Sequence, residues 1–169
     1  IISDTLLFRS PTCTPFDVEA AKRLAVIAGI ECESYAREMF AAGSDLQART
    51  PEEIFYQDFK QFEFGDWNIG IGQITSMSSE ELGHIKQRLM PYMEQVFAKH
   101  DADMVFFMLT DILSESSELL CYGKGSAELI QEAFGQKVVQ NSALLPGVVS
   151  RKKQLVPSFM AAINRMTMV

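Results

Sequence analysis

The spacing of hydrophobic positions changes several times between a helical period and a strand period along the chain. Apolar side chains recur every three or four residues in some stretches, and in others they alternate singly or run together. The helical stretches predict helices at 15–28, 33–42, 51–58, 78–99 and 126–134, and a last helix with Pro157 as its first residue. The other stretches predict strands at 62–64, 67–71, 103–109, 117–122 and 143–149. Elements that alternate in this way indicate an α/β fold, with a mixed β-sheet and helices packed on both of its faces.

Polar residues mark where two of these helices begin. Thr14, Pro15 and Asp17 place a hydroxyl at the N-cap, a proline at the first helical position and a carboxylate in the first turn. The run Thr50-Pro51-Glu52-Glu53 repeats this arrangement. The residues just before it, 44–50, are mostly polar and predict a linker.

The strand stretches carry two further signals. Gly65-Asp66 is a two-residue turn between the first two strands, which predicts a β-hairpin. Gly70 and Gly72 leave one face of the second strand bare, either for close approach of another backbone or a ligand, or because of a bulge or crowded helix packing. The stretch 103–109 is continuously apolar, which predicts a central strand covered on both faces.

The opening residues Ile1-Ile2 are apolar and β-branched, as in a strand, and Asp4 would follow where that strand ends. Strand ends in open α/β sheets often face ligand crevices, so Asp4 is a candidate metal ligand. A helix cap or a solvated turn is the more common role of such an aspartate. The absence of an initiator methionine leads us to expect a fragment of a longer polypeptide.

Charge and cysteine spacing exclude several classes of partner. With 15 Lys and Arg against 22 Asp and Glu, the net charge of −7 opposes binding to nucleic acid. The longest apolar run, residues 104–109, is far too short to span a membrane. Cys13, Cys32 and Cys121 form no Cys-x-x-Cys pair, which indicates reduced thiols. We therefore expect a cytoplasmic protein without a nucleic-acid or membrane partner.

Three cations stand side by side in Arg151-Lys152-Lys153. A guanidinium binds two phosphate oxygens as a planar fork and an ammonium adds a compact charge, so this pairing suits a phosphoanhydride or a phosphomonoester. A basic loop that faces water is the more common explanation of such a run. Lys60, at the entry to the hairpin, could turn toward whatever Arg151 and Lys152 bind, although most single lysines only face solvent.

Other polar clusters have structural explanations. His100, Asp101 and Asp103 follow the long helix, where a histidine interacts favourably with the helix dipole and acidic residues populate the turn, so we assign no metal to them. Asp111, after the central strand, is better explained as the cap of a turn with Ser114 and Ser116 than as a catalytic group. No catalytic residue is assigned from the sequence.

Five segments carry more information together than singly. They are Ile1-Ile2-Ser3-Asp4-Thr5-Leu6-Leu7-Phe8, Ser10-Pro11-Thr12-Cys13-Thr14, Gly72-Gln73-Ile74, Thr110-Asp111-Ile112-Leu113 and Gly147-Val148-Val149-Ser150-Arg151-Lys152-Lys153-Gln154. In this order, and over essentially the whole chain, they resemble the family II, manganese-dependent inorganic pyrophosphatases of the DHH superfamily. The first and last segments are specific to that family.

The resemblance implies an N-terminal domain whose Asp-His-His motif binds two metal ions, and a C-terminal domain that closes over pyrophosphate. Residues 1–44 would be the helical end of the DHH metal-binding domain, 45–50 a linker and 51–169 the C-terminal substrate-binding domain. In the full-length enzyme two or more Mn²⁺ ions, with Mg²⁺ or Co²⁺ as alternatives, would acidify a bridging water that attacks one phosphorus. Hinge motion at 44–50 would open and close the site.

The same resemblance implies residue roles and partners. Asp4 resembles the family's last metal-binding aspartate, Lys60 the lysine that contacts phosphate, and Arg151 with Lys152 the pair that grips the same substrate. The implied partners are inorganic pyrophosphate and the N-terminal DHH domain of the parent chain, with a homodimer as a further option.

The chain also departs from the family. It lacks the Asp-His-His and His-x-x-x-Asp-x-Asp motifs, and neither of its two histidines matches a ligand. We therefore expect it to be inactive alone and to bind no metal tightly. Two other functions stay open. One is a DHH-superfamily phosphoesterase acting on oligonucleotides or polyphosphate, although the glycine-rich, His-containing motif of those enzymes is absent here. The other is a non-catalytic phosphate-binding regulatory module.

Overall fold

The computed structural model of the protein describes residues 1–43, 46 and 48–167. Within those residues the chain forms helices α1 (Pro15–Ala28), α2 (Cys32–Gly43), α3 (Pro51–Tyr56), α4 (Ser79–Lys99), α5 (Ser126–Phe134) and α6 (Val156–Thr167), and a π-helical turn, Arg151–Leu155. The strands are β1 (Phe59–Phe64), β2 (Trp67–Ser76), β3 (Met104–Asp111), β4 (Ser116–Tyr122) and β5 (Ser142–Pro146). No described helix is both long enough and apolar enough to cross a lipid bilayer.

The strands form one mixed sheet in the order β1-β2-β3-β4-β5. β2 and β3 are parallel and the other neighbouring pairs are antiparallel. A parallel pair needs a crossover connection, and α4 provides it. The sheet confirms the predicted α/β class, and β1 and β2 confirm the predicted hairpin.

Helices cover both faces of the sheet, as predicted. On one face α5 and α6 pack against β3, where the ring centroids of Phe159 and Phe106 lie 4.7 Å apart. On the other face α3 and α4 pack against the same strand, and the rings of Phe55 and Phe107 lie 5.1 Å apart. Successive strand residues point to opposite faces, so Phe106 and Phe107 each belong to one core. This confirms β3 as the central strand.

Reciprocal hydrogen bonds explain where α1 and α3 begin. The Thr14 hydroxyl accepts from the Asp17 N–H at 3.3 Å, and the Asp17 carboxylate accepts from the Thr14 N–H at 2.8 Å. Thr50 and Glu53 make the same pair of bonds at 3.2 and 2.7 Å. Each arrangement is local and satisfies N–H groups that the first turn leaves without partners, so the sequence predicted both starts correctly.

The bare face of β2 is covered by aromatic rings. A Cβ atom added to Gly70 would lie 2.7 Å from the ring of Phe59, and one added to Gly72 would lie 2.5 Å from the ring of Phe107. Of the alternatives that the sequence left open, crowded packing explains both glycines. The crowding comes mainly from side chains of the neighbouring strands β1 and β3 and not from a helix.

The strand predicted at Ile1-Ile2 is wrong. Residues 1–10 form consecutive turns, in which the Thr5 N–H donates to the Ile1 carbonyl at 3.0 Å and the Leu7 N–H to the Ile2 carbonyl at 2.9 Å. A strand needs a neighbouring strand to pair its backbone groups, and no described residue offers one here. The segment therefore satisfies its backbone groups locally.

The strand predicted at 143–149 is shorter than expected. It ends at Pro146, after which Gly147 adopts φ +75°, a left-handed conformation that glycine tolerates without strain. The basic run that follows forms the π-helical turn, which continues directly into α6.

The linker predicted at 44–50 lies partly outside the described residues, since Ser44, Asp45 and Gln47 are not among them. Within this stretch Leu46 is buried in the core beside α4. Arg88 of α4 donates to the Leu46 carbonyl at 3.1 Å and also to the Arg49 carbonyl. These bonds attach the described part of the stretch to α4.

Candidate functional site

One cleft lies between the N-terminal turns and the edge of the sheet, and it contains the residues predicted to bind substrate or metal. Its volume is about 400 Å³. Its lining residues are Asp4, Leu6, Ser10, Thr12, Asp58, Lys60, Gln73, Thr75, Val149, Ser150, Arg151, Lys152 and Lys153. We call this space the cationic cleft.

Three exposed lysines supply most of its positive charge. Lys60 is the second residue of the edge strand β1, and Lys152 and Lys153 lie in the π-helical turn. Within the described part of the chain, none of the three ammonium groups forms an ion pair or a hydrogen bond. An anion that enters the cleft would therefore displace no existing protein partner.

Arg151 differs from the lysines because its side chain is only 6% exposed. Its Nη1 donates to the carbonyls of Asp58 at 2.6 Å and Ile71 at 3.0 Å, and its Nη2 donates to Asp58 Oδ1 at 2.7 Å. A buried guanidinium needs a compensating charge, and Asp58 provides it. The cation is therefore fixed in the wall of the cleft.

The loop before the cations is braced by Gln154. Its Oε1 accepts from the N–H groups of Val149 at 2.9 Å and Ser150 at 3.0 Å, and its Nε2 donates to the Gly147 carbonyl at 2.7 Å. The Ser150 hydroxyl then accepts from the Lys153 N–H at 3.2 Å and caps the π-helical turn. π-Helical turns are rare and often occur at functional sites.

The N-terminal turns form the opposite wall. The Asp4 side chain is 91% exposed, and its Oδ2 lies 3.9 Å from the amino group of Ile1. The sequence had suggested that Asp4 follows the end of a strand. That placement is wrong, because the residues around Asp4 form turns. Ser10 and Thr12 contribute hydroxyl groups 2.7 Å apart, which can donate to an anion.

The carboxylates of the cleft do not by themselves form a metal site. Asp58 uses Oδ1 for Arg151 and Oδ2 for the Nε2 of Gln73, which donates at 2.7 Å. Asp4 belongs to no cluster of three or more His, Cys, Asp or Glu side chains able to hold a metal, since the described residues contain none. Mn²⁺ and Mg²⁺ need several oxygen or imidazole ligands.

Sequence reasoning gave no role to several residues of the cleft, among them Lys153, Asp58 and Gln73. Lys153 was visible in the basic run, but the resemblance assigned roles only to its two neighbours. Asp58 and Gln73 gave no signal of their own, because each matters through a contact with a residue distant in sequence. Gln73 belongs to one of the segments that carry the resemblance, although no role could be given to it there.

Two further polar clusters lie outside the cleft. His100 is hydrogen-bonded to the Tyr56 hydroxyl at 2.8 Å and belongs to no metal cluster among the described residues. Asp111 accepts from the N–H groups of Leu113 at 2.9 Å and Ser114 at 3.2 Å and so caps the turn after β3. Burial alone would raise the pKa of Asp111, but hydrogen bonds, led by that from the Ser79 hydroxyl, outweigh it and hold this pKa below its usual value.

Sequence comparison finds curated relatives that are similar to nearly the whole of this chain. It is 46% identical over 157 residues to a cobalt-dependent inorganic pyrophosphatase of Clostridium perfringens, covering 93% of this chain and 28% of that protein. It is 43% identical over 157 residues to a manganese-dependent inorganic pyrophosphatase of Bacillus subtilis, covering 93% of this chain and 50% of that protein. The chain thus spans just over a quarter of the first relative's length and half of the second's.

A solved structure and a family model agree with these similarities. The crystal structure of a candidate family II inorganic pyrophosphatase from Methanococcus jannaschii is 42% identical and superposes with a TM-score of 0.82, covering 96% of this chain and 53% of that one. The family model described as the DHHA2 domain matches residues 37–162. The chain therefore belongs to the DHHA2 domain family.

Proposed function

We propose that this chain is the substrate-binding part of an enzyme that hydrolyses inorganic pyrophosphate to two phosphates. Lys60, Arg151 and Lys152 would bind the substrate, and Lys153 would add to the positive field. Asp4 would be one ligand of a metal site completed by residues beyond this chain. In this proposal 1–44 is the end of a DHH domain, 45–50 a linker and 51–169 the substrate-binding domain.

The observation that carries the proposal is the meeting of cations from distant parts of the sequence at one cleft. Lys60 lies on β1, whereas Arg151 and Lys152 lie just before α6. All three line the same 400 Å³ space in a chain whose net charge is −7. Such a local concentration of positive charge favours a compact, highly charged anion, and the names of the relatives support pyrophosphate as that anion.

The described residues define what this part of the enzyme would do. The ammonium groups would neutralise the substrate and stabilise charge that develops on the leaving phosphate. Arg151 is held in place before the substrate arrives, so little side-chain entropy is lost when it binds an oxygen. The chain would thus orient and neutralise the substrate.

The metal ion would be bound mainly by ligands that lie outside this chain. The relatives are named for manganese or cobalt, which supports Mn²⁺ as the ion of the full-length enzyme, with Co²⁺ or Mg²⁺ as alternatives. Asp4 lines the cleft from the side opposite the sheet and its carboxylate is exposed, so it remains available to a metal held mainly by another part of the protein.

The N-terminal DHH domain of the parent is the partner that we propose. The first helix, α1, exposes large apolar side chains, with Phe16 at 78%, Val26 at 82% and Ile27 at 81%. Such a surface is typical of a contact with another domain or chain. A homodimer is an alternative use of the same surface. The three cysteines are unpaired thiols, which supports a reducing, cytoplasmic location.

A substrate panel tests the proposal on the longer protein that carries this chain. We expect Mn²⁺-dependent hydrolysis of pyrophosphate with kcat/KM at least about a hundredfold above that for polyphosphate or for a short oligonucleotide, a preference typical of a site built for one anion. Preference for either of the other two would favour the related phosphoesterases. Tight pyrophosphate binding without turnover would favour the regulatory module.

A further inference from the structure

We infer that Asp58, itself held by Gln73, is a positioning residue that presents one edge of the Arg151 guanidinium to phosphate. This inference rests on the proposed function. It assigns a role to two residues of the cationic cleft to which neither the sequence nor the resemblance gave one.

The contacts of Arg151 leave a defined part of its guanidinium free. Three of its five N–H hydrogens are used: two on Nη1, for the carbonyls of Asp58 and Ile71, and one on Nη2, for Asp58 Oδ1. The hydrogen on Nε and the second hydrogen on Nη2 have no acceptor among the described residues. Because Asp58 bonds to both terminal nitrogens, it takes the hydrogens at the end of the guanidinium, between Nη1 and Nη2. The hydrogen left on Nη2 is then the one beside the Nε hydrogen, so these two free hydrogens share one edge.

That free edge has the geometry that binds an oxyanion. Two parallel N–H groups on one side of a guanidinium form the fork that grips two oxygens of a phosphate. Asp58 occupies the end of the guanidinium with its carbonyl and its carboxylate together, and so keeps the side edge open. A carboxylate that bound the side edge instead would block the substrate.

Asp58 is in turn fixed from both directions. The register pairs Phe59 with Gly72, which brings the preceding Asp58 next to Gln73 across the β1–β2 ladder. The Gln73 Nε2 donates to Asp58 Oδ2 at 2.7 Å, so the two carboxylate oxygens have different partners. The carboxylate therefore has one orientation, and Arg151 follows it.

Electrostatics and positioning predict opposite results when Asp58 is removed. A carboxylate in the cleft repels phosphate, so Coulomb attraction alone would make pyrophosphate bind more tightly to Asp58→Ala. If Asp58 acts by orienting Arg151, the same substitution weakens binding. The sign of the change therefore separates a positioning residue from a mere counter-charge.

The test is a calorimetric titration of the chain with pyrophosphate. We expect Asp58→Ala to weaken binding about tenfold, the scale of one hydrogen bond to a charged group. Asp58→Asn, which retains an acceptor for Nη2, should stay within about threefold of the wild type. Glu118→Ala is the matched control, because Glu118 accepts from Lys86 at 2.5 Å with similar exposure but lies outside the cleft.

A double-mutant cycle isolates the part that acts through Arg151. In an Arg151→Ala background, Asp58→Ala should no longer weaken binding. Equal weakening in both backgrounds, or binding to Asp58→Ala as tight as to the wild type, would overturn the inference. Thermal melts of each variant show whether a loss reflects unfolding.

An NMR readout separates this inference from the proposed function. The Arg151 Nε–H signal, identified by its absence in Arg151→Ala, should be sharp in the wild type and broadened by exchange in Asp58→Ala. If the wild type binds no pyrophosphate, the proposed function fails, and an unchanged Nε–H signal in Asp58→Ala would then overturn the positioning role as well.

Discussion

At the scale of single residues, Arg151 combines an observed structural role with the binding role that we propose for it. A fully buried charge is tolerated only when it is paired and hydrogen-bonded, and Arg151 meets this condition with a carboxylate and two carbonyls. The exposed lysines beside it make no such bonds among the described residues. The cleft thus joins one hydrogen-bonded cation to several unpaired ones, and we expect the hydrogen-bonded one to contribute most to catalysis.

We predict that Arg151→Ala in the longer protein lowers kcat/KM for pyrophosphate. The decrease should correspond to about 2–4 kcal/mol of lost transition-state stabilisation, the range for losing a charge partner of the transition state. Steady-state kinetics measures this directly. Arg165→Ala is a matched control, since Arg165 pairs with Glu132 at 2.5 Å away from the cleft. A loss of less than about tenfold for Arg151→Ala would contradict the assigned role.

At the scale of elements, the two glycines of β2 show how a strand can be specified by its neighbours. The rings of Phe59 and Phe107 lie where side chains would otherwise project. Both rings belong to strands paired with β2, and together they close the core on the side of α3 and α4. The sheet therefore depends on the absence of a Cβ at these positions.

Gly72→Ala should cost about 1–3 kcal/mol of unfolding free energy, because the new methyl group overlaps the Phe107 ring in a packed core. Gly83→Ala is the control, in a helix that packs on the same sheet. Gly83 lies inside α4 with open space where its Cβ would be, so alanine there should stabilise the protein by about 0.5–1 kcal/mol. Urea unfolding measures the free energy of unfolding of both variants. Equal values for the two would argue against the described packing of β2.

The turn after β3 makes a pH-dependent contribution to stability. The Ser79 hydroxyl donates to Asp111 Oδ2 at 2.6 Å and connects the first turn of α4 to the end of β3. Because hydrogen bonds hold the pKa of Asp111 in the folded protein below its usual value of 3.8, its carboxylate stabilises the fold above that pH. This stabilisation is lost as the pH falls through the lowered pKa.

Ser79→Ala should therefore lower Tm at pH 6 by about 1–4 °C, as expected for one hydrogen bond in a chain of this size. The difference from the wild type should shrink as the pH is lowered from 6 to 3, because protonated Asp111 no longer benefits from the bond. Thermal melts across this range measure it. A difference that grows toward pH 3 would contradict the assigned direction of the pKa shift.

Elements governed by local chemistry could be predicted from the sequence, and elements governed by distant contacts could not. The capping residues Thr14 and Thr50 act on the next three residues, so both helix starts were correct. The turns at 1–10 depend on whether a partner strand is available, which no local pattern reveals. The π-helical turn likewise depends on the Gln154 brace and on the burial of Arg151.

At the scale of the whole molecule, the fold brings the terminal basic run next to the hairpin entry. Separate sequence signals suggested Lys60 and Arg151, and the structure shows that both line one cleft. Asp58 and Gln73 could not be found in this way, because their contacts exist only after β1, β2 and the π-helical turn have assembled. The residues that we propose to bind a ligand directly left a pattern in the sequence, whereas those that we propose to hold them in place did not.

The central claim is that these cations form a single pyrophosphate site, and calorimetry of the chain in a metal-free buffer tests it most directly. We predict one-to-one binding that weakens with added salt, and that Lys60→Ala and Lys152→Ala each weaken it about two- to tenfold, as expected for exposed charges. Lys137→Ala, an exposed lysine outside the cleft, should leave it unchanged. Absence of binding, or equal affinities for all three variants and the wild type, would contradict the claim.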